Sequence, residues 1–90
     1  MGDTQSDPER ERGTLIRRIA QGGDRVAFAA LFAFYAPRIK GQAMRNGLSA
    51  DAAEDVAQEA MLSLWARAAQ FDPARGNASA WLFAIAANAR

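Results

Sequence analysis

The chain has 90 residues, half of them apolar, which is enough for one small domain with a core but not for two. It contains no cysteine and no histidine, so disulfides, thiol enzymes, zinc fingers and histidine-based triads are excluded. The net charge is only +1, no apolar run approaches the roughly 20 residues of a membrane helix, and the polar N-terminus lacks a signal peptide's apolar segment. We expect a cytoplasmic protein with no cofactor and no metal.

Charges are separated along the sequence. Residues 1–13 carry four acids and two arginines, and residues 14–47 carry six basic residues and one acid. Residues 48–66 carry four acids and no base, and residues 67–90 are again basic. An acidic block between two basic ones suggests two surfaces that meet different partners. The alternative is that the blocks are solvated faces that pair with each other.

Periodic segments separated by Gly and Pro, with no alternating strand pattern, predict an all-α fold, a compact bundle of three to four helices. Residues 1–13 are polar without periodicity and are predicted to be disordered. The domain is then expected to cover residues 14–90. Its first helix is predicted from Thr14, as N-cap, to Gln21, where Gly22 and Gly23 stop it.

Asp24 is predicted to cap the second helix. Apolar residues follow it at spacings of three and four, which marks one core-facing stripe: Phe28, Leu31, Phe32, Tyr35, Ile39 and Ala43. Pro37 cannot donate a backbone hydrogen bond to the residue four positions earlier, so a kink or break is expected near Ala36. Asn46 and Gly47 end this segment.

The third helix is predicted from its cap Ser49 to about Gln70, because the residue before Pro73 avoids helical angles. Its core face collects Ala53, Val56, Ala57, Ala60, Met61, Leu64 and Ala68. Asn77 or Ser79 is expected to cap a fourth helix, which carries Trp81, Leu82, Ile85 and Ala89 on one side. The pattern runs to the last residue without a C-cap, so we expect a domain truncated within its last helix.

The outer face of the third helix is predicted to carry an acidic stripe, defined by spacings of three and four as Asp51, Asp55, Gln58, Glu59 and Leu62. Like charges at this spacing repel by a few tenths of a kcal/mol, and Asp55 and Glu59 lie too far from the helix start to gain from its dipole. An apolar residue within such a stripe suits a basic partner helix with an apolar seam. The alternative is a solvated face with one incidental leucine.

Aromatic, basic and amide side chains are mixed near the C-terminus. They are Phe71, Trp81 and Phe83, then Arg67, Arg75 and Arg90, and finally Asn77, Ser79 and Asn88. Stacking faces, phosphate contacts and base-edge hydrogen bonds are what single-stranded nucleic acid requires. Phe71 and Trp81 also lie on apolar stripes and are predicted as core residues, whereas Phe83 is the better candidate for exposure.

These segments together resemble region 2 of bacterial extracytoplasmic-function (ECF) sigma factors. Asp24-Arg-Val-Ala-Phe28-Ala-Ala-Leu31, followed by Tyr35, resembles the opening of that region. The resemblance continues in order through Ala53-Glu-Asp-Val-Ala-Gln-Glu-Ala60, Leu64-Trp65, Phe71-Asp-Pro, Arg75-Gly76, Ala80-Trp-Leu82, Ile85-Ala86 and Asn88. Each piece is weak alone, but the ordered set is specific and covers the chain from about Leu15 onward.

The resemblance implies a transcription initiation factor domain without catalytic residues. In the family, an Asp-x-x-Gln-Glu helix docks on the clamp-helix coiled coil of the RNA polymerase β′ subunit, and here that pattern is Asp55, Gln58 and Glu59. Asp51 and Leu62 extend the same stripe. The following loop and last helix in the family open the promoter −10 element and hold its non-template strand, with one base flipped into a loop pocket. The DNA-binding residues expected here are Arg75, Asn77, Ser79, Phe83, Asn88 and Arg90.

Two departures from the family pattern weaken the expected DNA binding. Ala87 stands where the family usually has a basic residue. In the family the last helix also continues into a basic stretch, and a region 4 domain reads the −35 element; this sequence contains neither. Each lost phosphate contact weakens binding and flattens its salt dependence. We therefore expect the fragment alone to bind DNA poorly, while polymerase docking survives because its helix is complete.

Other readings remain open at this point. A sigma-mimic would bind an anti-sigma protein in a partner switch without touching DNA, and an anti-sigma partner is expected for a true ECF factor as well. A generic helical DNA binder is disfavoured because no compact helix–turn–helix with a basic recognition helix appears. An enzyme is disfavoured because the clustered carboxylates lie on one helix, whereas carboxylate metal sites in bundles draw on several.

Overall fold

Residues 7–88, which the computed structural model describes, form four α-helices joined by short connections. They are α1 (Pro8–Gly22), α2 (Arg25–Arg45), α3 (Ala50–Arg67) and α4 (Ala78–Ala87). The α3–α4 loop, residues 68–77, contains two short 3-10 helices, Ala68–Gln70 and Pro73–Arg75. Residues 7–88 contain no strand, and the predicted all-α class is confirmed.

Helix α1 begins at Pro8 rather than at Thr14, so the prediction of disorder is wrong for residues 8–13; residues 1–6 lie outside the described range. Asp7 is the N-cap, and its side chain accepts a hydrogen bond from the backbone N–H of Glu9 at 3.0 Å. Proline is favoured at the first helical position and acidic residues in the first turn. These end signals start the helix although the segment lacks apolar periodicity.

The remaining helix boundaries follow the sequence closely. Gly23 ends α1 in the left-handed conformation with φ 63°. The predicted N-caps of the other helices are confirmed, since each side chain accepts a hydrogen bond from a backbone N–H three residues later: Asp24 from Ala27, Ser49 from Ala52, and Asn77 from Ala80. Asn77 rather than Ser79 therefore caps α4.

Pro37 lies inside α2, which continues from Arg25 to Arg45, so the break expected near Ala36 does not occur. The missing proline N–H removes one helical hydrogen bond, but the helix is held on both sides of Pro37 by packing. Tyr35 is fully buried before it, and Ile39 is almost fully buried after it. Tertiary packing of this stripe offsets the lost hydrogen bond.

The core lies between the four helices, with α2 packed on α3 and α1, and α4 packed on α3 and α1. Its largest fully buried side chains are Tyr35, Ile16, Leu31, Ile39, Met61, Leu64 and Leu82. All the residues predicted for the core face of α3 are buried, and fully buried Ala53, Ala57 and Ala60 keep the inner face of that helix small. This burial turns the opposite face of α3 outward. No helix among residues 7–88 is long and apolar enough to cross a membrane.

Candidate functional site

The acidic stripe on α3 is exposed along its whole length. Asp51, Asp55, Gln58 and Glu59 are all solvent-accessible, and Leu62 retains 66% of its accessible surface. Every residue of the stripe except Asp51 lines one shallow depression, together with Ser63, Ala66 and Arg67. The structure thus brings the predicted residues together on one surface, with Asp51 a turn before the depression.

Glu54 flanks the acidic stripe but is engaged by other side chains. Its carboxylate lies 3.2 Å from Lys40 Nζ and accepts a weak hydrogen bond from Gln58 Nε2 at 3.4 Å. The hydrogen bond from Lys40 holds the pKa of Glu54 below its ordinary value, with a smaller effect from Gln58. Pairing between the basic and acidic blocks therefore accounts for this acid. Within residues 7–88, Asp51, Asp55 and Glu59 form no such ion pair.

Trp65 extends the apolar part of this face. It lies one helical turn after Leu62, remains 38% exposed, and packs its ring edge-on against Phe28 at 5.2 Å between centroids. Trp65 was not among the predicted surface residues, although its spacing of three from Leu62 was the available signal. Trp65 thus adds exposed apolar surface beside Leu62, although it does not itself line the depression.

The α3–α4 loop forms a second candidate surface, lined by residues different from those of the acidic stripe. Asp72 accepts a hydrogen bond from the N–H of Ala74 at 3.0 Å and starts the second 3-10 helix. Gly76 follows with φ 153°, a conformation that residues with side chains rarely adopt. Arg75 and Asn77 on either side of Gly76 are exposed, so the structure brings these two candidate residues together at the loop.

Two grooves flank this loop. The first is walled by α1 on one side and by the loop on the other, with Arg10, Thr14, Arg17, Phe71, Pro73 and Asn77 among its lining residues. The second is lined by Gln70, Asp72, Arg75, Gly76, Ala80 and Trp81. Phe71 and Trp81 stand between the grooves with ring centroids 5.3 Å apart. Both are partly buried and pack against the core, in line with the prediction.

Phe83 is not the exposed aromatic that the sequence suggested. It is partly buried, packs against the core, and lies 6.2 Å from the ring of Tyr35 between centroids. Phe83 lines a separate groove beside Ile39 and Ala86 rather than either groove at the loop. Because α4 is packed on more than one side, its apolar pattern does not single out one buried face.

Ser79 is also less available than predicted, because its polar groups are engaged within the protein. Its N–H donates to Glu9 Oε1 at 3.2 Å and its hydroxyl donates to Glu9 Oε2. A carboxylate only accepts hydrogen bonds, so the single hydroxyl proton of Ser79 goes to Glu9. The Tyr35 hydroxyl, 2.8 Å away, is therefore the donor to Ser79 Oγ.

Glu9, which contacts the candidate residue Ser79, was not among the residues predicted from the sequence. Burial raises its pKa, but hydrogen bonds from Ser79 and from Arg12, whose Nη2 lies 3.2 Å from Oε2, outweigh burial and leave the pKa below its ordinary value. Arg12 in turn stacks on the ring of Phe34 at 3.9 Å from its centroid. The Asp7–Pro8 helix start was the signal that residue 9 is ordered.

Comparison with known proteins decides the family. Residues 31–90 match the family model of sigma-70 region 2, from the middle of α2 to the end of the chain. The chain belongs to the sigma-70 region 2 family. Helix α1, with Glu9, lies outside the matched residues, whereas the acidic stripe and the α3–α4 loop lie within them.

Individual relatives agree with the predicted ECF type. The ECF RNA polymerase sigma factor RpoE of Cereibacter sphaeroides is 43% identical over 76 residues, which are 84% of this chain and 42% of that protein. SigK of Mycobacterium tuberculosis strain H37Rv is 39% identical over 72 residues, 80% of this chain and 38% of that one. This region 2 chain thus spans less than half the length of the curated relatives it matches.

A solved structure shows the same fold. The crystal structure of Rhodobacter sphaeroides SigE in complex with the anti-sigma ChrR matches with a TM-score of 0.88 and 39% identity, over 93% of this chain and 54% of that one. The resemblance to region 2 of ECF sigma factors is confirmed.

The last candidate among residues 7–88 of this region 2 domain is Asn88, the C-cap of α4. Asn88 is exposed, and its side-chain amide donates to the carbonyl of Ala84 at 3.1 Å. At 1.5 Å per residue, Asn88 lies about 17 Å along the helix from Asn77. Arg90 lies outside the described residues. The structure thus groups Arg75 with Asn77 and separates both from Phe83 and Asn88.

Proposed function

We propose that this domain acts in transcription initiation, docking on the β′ clamp helices of RNA polymerase and recognising and melting the promoter −10 element. The observation that carries the proposal is the outward face of α3, where Asp55, Gln58, Glu59 and Leu62 line one exposed depression. The domain supplies a binding surface and no catalytic residue. Its place of action is the cytoplasm, since polymerase and promoter are there.

The chemistry of the acidic stripe defines the partner surface. The exposed carboxylates of Asp51, Asp55 and Glu59 attract a basic helix and raise its rate of association with this domain. This attraction weakens with rising salt concentration, because salt screens the charges. Leu62 and the exposed part of Trp65 offer apolar area, and burial of this area by a partner stabilises the complex. Gln58 can donate and accept at the centre of the contact.

The DNA half of the proposal rests on the α3–α4 loop. Arg75 and Asn77 are exposed beside Gly76, and the partly buried rings of Phe71 and Trp81 stand between the two grooves. Flipping one base costs a few kcal/mol, and stacking on an aromatic ring returns about 1–3 kcal/mol per base. With Ala87 in place of a basic residue, DNA binding by this chain alone is expected to be weak.

A second candidate function is a partner switch in which an anti-sigma protein binds the domain and DNA is never contacted. The solved relative SigE in complex with the anti-sigma ChrR favours an anti-sigma partner for this chain too. That partner is compatible with both functions, because an anti-sigma factor can also hold a DNA-binding sigma factor inactive. Polymerase docking discriminates between them.

The test is a calorimetric titration of this chain with the isolated β′ clamp-helix coiled coil. We expect micromolar or tighter binding, that is, about −8 kcal/mol or better, which Asp55→Ala/Gln58→Ala abolishes while helical circular dichroism is unchanged. Glu54→Gln is the matched control, because Glu54 is already engaged by Lys40. No binding by the folded wild type would favour the partner switch, and equal binding by the double variant would refute the stripe assignment.

A further inference from the structure

We propose that Glu9 is a positioning residue for the α3–α4 loop. Glu9 lies on α1 and accepts hydrogen bonds from Ser79 in the first turn of α4. This contact keeps the loop in the conformation in which Arg75 and Asn77 meet DNA. This inference rests on the proposed DNA-binding function and deepens it, because it assigns α1 a part in a surface that lies within residues 31–90.

Glu9 contacts α4 at its first turn, where the backbone N–H groups have no hydrogen-bond acceptor within the helix. Ser79 is the second residue of α4. Glu9 accepts from both the N–H and the hydroxyl of Ser79, across 70 positions of sequence. Asn77 caps Ala80 locally at 2.8 Å, so α4 has one cap from its own sequence and one from α1. The negative charge of the Glu9 carboxylate is also stabilised by the positive N-terminal end of the helix dipole.

The other end of the loop rests on the same face of α1. Gly13 lies one helical turn after Glu9, and a β-carbon placed on Gly13 would stand 3.3 Å from Phe71 Cε2. The absence of a side chain at Gly13 therefore lets the Phe71 ring lie close against α1. Phe71 precedes and Ser79 follows the exposed residues 72–77. Both ends of the exposed segment are thus fixed by neighbouring turns of one helix.

Between these two anchors the loop has little to hold it. Residues 72–77 are all exposed, and their internal hydrogen bonds are short-range: Asp72 with Ala74 at 3.0 Å, and the N–H of Arg75 with the carbonyl of Asp72 at 2.9 Å. A segment with few buried contacts takes its conformation from its ends. Loss of the Glu9 contact should release the Ser79 end while leaving the α2–α3 packing intact.

Amide hydrogen exchange on the 90-residue chain tests the coupling directly. In Glu9→Ala we expect faster exchange at residues 77–80 than in wild type, with core amides of α2 and α3 unchanged. Glu11→Gln is the matched control, because Glu11 is an exposed acid of the same first turn. Faster exchange spread evenly over the whole chain would show a general stabilising role and overturn the proposal, as would wild-type exchange at residues 77–80.

A pair of binding measurements links the coupling to function. The same variants are titrated with single-stranded DNA of mixed sequence, suitable because stacking tolerates sequence, and separately with the clamp-helix coiled coil. We expect Glu9→Ala to lose affinity for DNA and to keep wild-type affinity for the coiled coil. Unchanged DNA affinity in a variant with faster loop exchange would overturn the positioning role.

Glu9→Gln serves as the conservative variant. Its side-chain oxygen can still accept from the Ser79 N–H, but its NH₂ group cannot accept the Ser79 hydroxyl proton. We therefore expect exchange and DNA affinity intermediate between wild type and Glu9→Ala; a Gln variant as impaired as Ala would contradict the hydrogen-bond mechanism. If wild type itself binds no DNA, the DNA half of the proposed function fails, while the exchange result still decides whether Glu9 positions the loop.

Discussion

Lys40 of α2 holds Glu54 of α3, with Nζ 3.2 Å from Oε1. The two side chains remain 37% and 44% exposed, and ion pairs of this kind contribute little to stability. The main effect of the contact is therefore on charge. It neutralises the acid at the edge of the acidic stripe and leaves the exposed carboxylates of Asp51, Asp55 and Glu59 as the charges offered to a partner.

Removing the lysine should change the titration of Glu54. The hydrogen bond from Lys40 lowers the pKa of Glu54, so we expect Lys40→Ala to raise that pKa towards its ordinary value, with little change in the unfolding free energy. An NMR titration of the side-chain carboxyl carbon measures it, with Asp24, paired to Arg18 instead, as internal reference. An unchanged Glu54 titration would show that the pair does not persist in solution.

Substitutions of an exposed and a buried leucine should affect docking and stability separately. We expect Leu62→Ala to change the unfolding free energy by less than about 0.5 kcal/mol, because exposed sites contribute little. It should weaken docking on the clamp helices by at least about tenfold, since burying a leucine contributes about 1.5–3 kcal/mol and about 1.4 kcal/mol is tenfold. Leu82 is fully buried, and Leu82→Ala should lower the unfolding free energy by about 2–5 kcal/mol. Urea denaturation and calorimetry measure the two effects; equal docking by Leu62→Ala would remove this residue from the interface.

Acid should remove the contribution of Glu9 to stability. The folded-state pKa of Glu9 is lowered, so its stabilising effect is fully present above the unfolded-state pKa and disappears as the pH falls through the folded-state value. At about pH 7 we expect Glu9→Gln to cost about 1.5 kcal/mol, the lower end for hydrogen bonds to a charged group, because 29% of the side chain is exposed.

Urea denaturation at several pH values measures the difference between wild type and Glu9→Gln. We expect that difference to shrink as the pH falls below the ordinary glutamate value of 4.5. Other carboxylates with lowered pKa values, Asp24 and Glu54, are present in both proteins and cancel in the comparison. A difference that stayed constant down to acid pH would contradict a stabilising role for the ionised carboxylate.

Two helical glycines should respond differently to alanine. Within a helix, Gly→Ala is expected to stabilise by about 0.5–1 kcal/mol. Gly41→Ala should show this gain, because its new β-carbon would meet only the flexible end of Arg45, at 3.5 Å. Gly13→Ala should gain less or lose stability, because the β-carbon would press on Phe71 at 3.3 Å. Thermal unfolding of the two variants measures the difference, and equal stabilisation would show that Phe71 moves freely.

Local signals in the sequence were sufficient for most of the helical framework. Asp24, Ser49 and Asn77 cap their helices as predicted because a cap depends on residues within one turn. The acidic stripe lies on one exposed face because helical periodicity fixes which residues share a face. Its assignment to polymerase docking stays a prediction.

The missed features depend on contacts between distant parts of the chain. Glu9 meets Ser79 across 70 positions, and no local pattern encodes that pair. The start of α1 was not predicted because residues 8–13 lack apolar periodicity, and only the Asp7–Pro8 end signal marks it. Phe83 was expected to be exposed because the sequence does not show that α4 packs on several sides.

The two tryptophans sit at different surfaces, and this has a practical consequence. Trp65 stands at the apolar end of the acidic stripe, and Trp81 stands beside the α3–α4 loop. The chain has no other tryptophan, so the intrinsic fluorescence of Trp81→Phe reports only on the first surface and that of Trp65→Phe only on the second. Protein engagement and DNA engagement can then be followed as separate optical signals in two single-tryptophan variants of the same domain, without any attached dye.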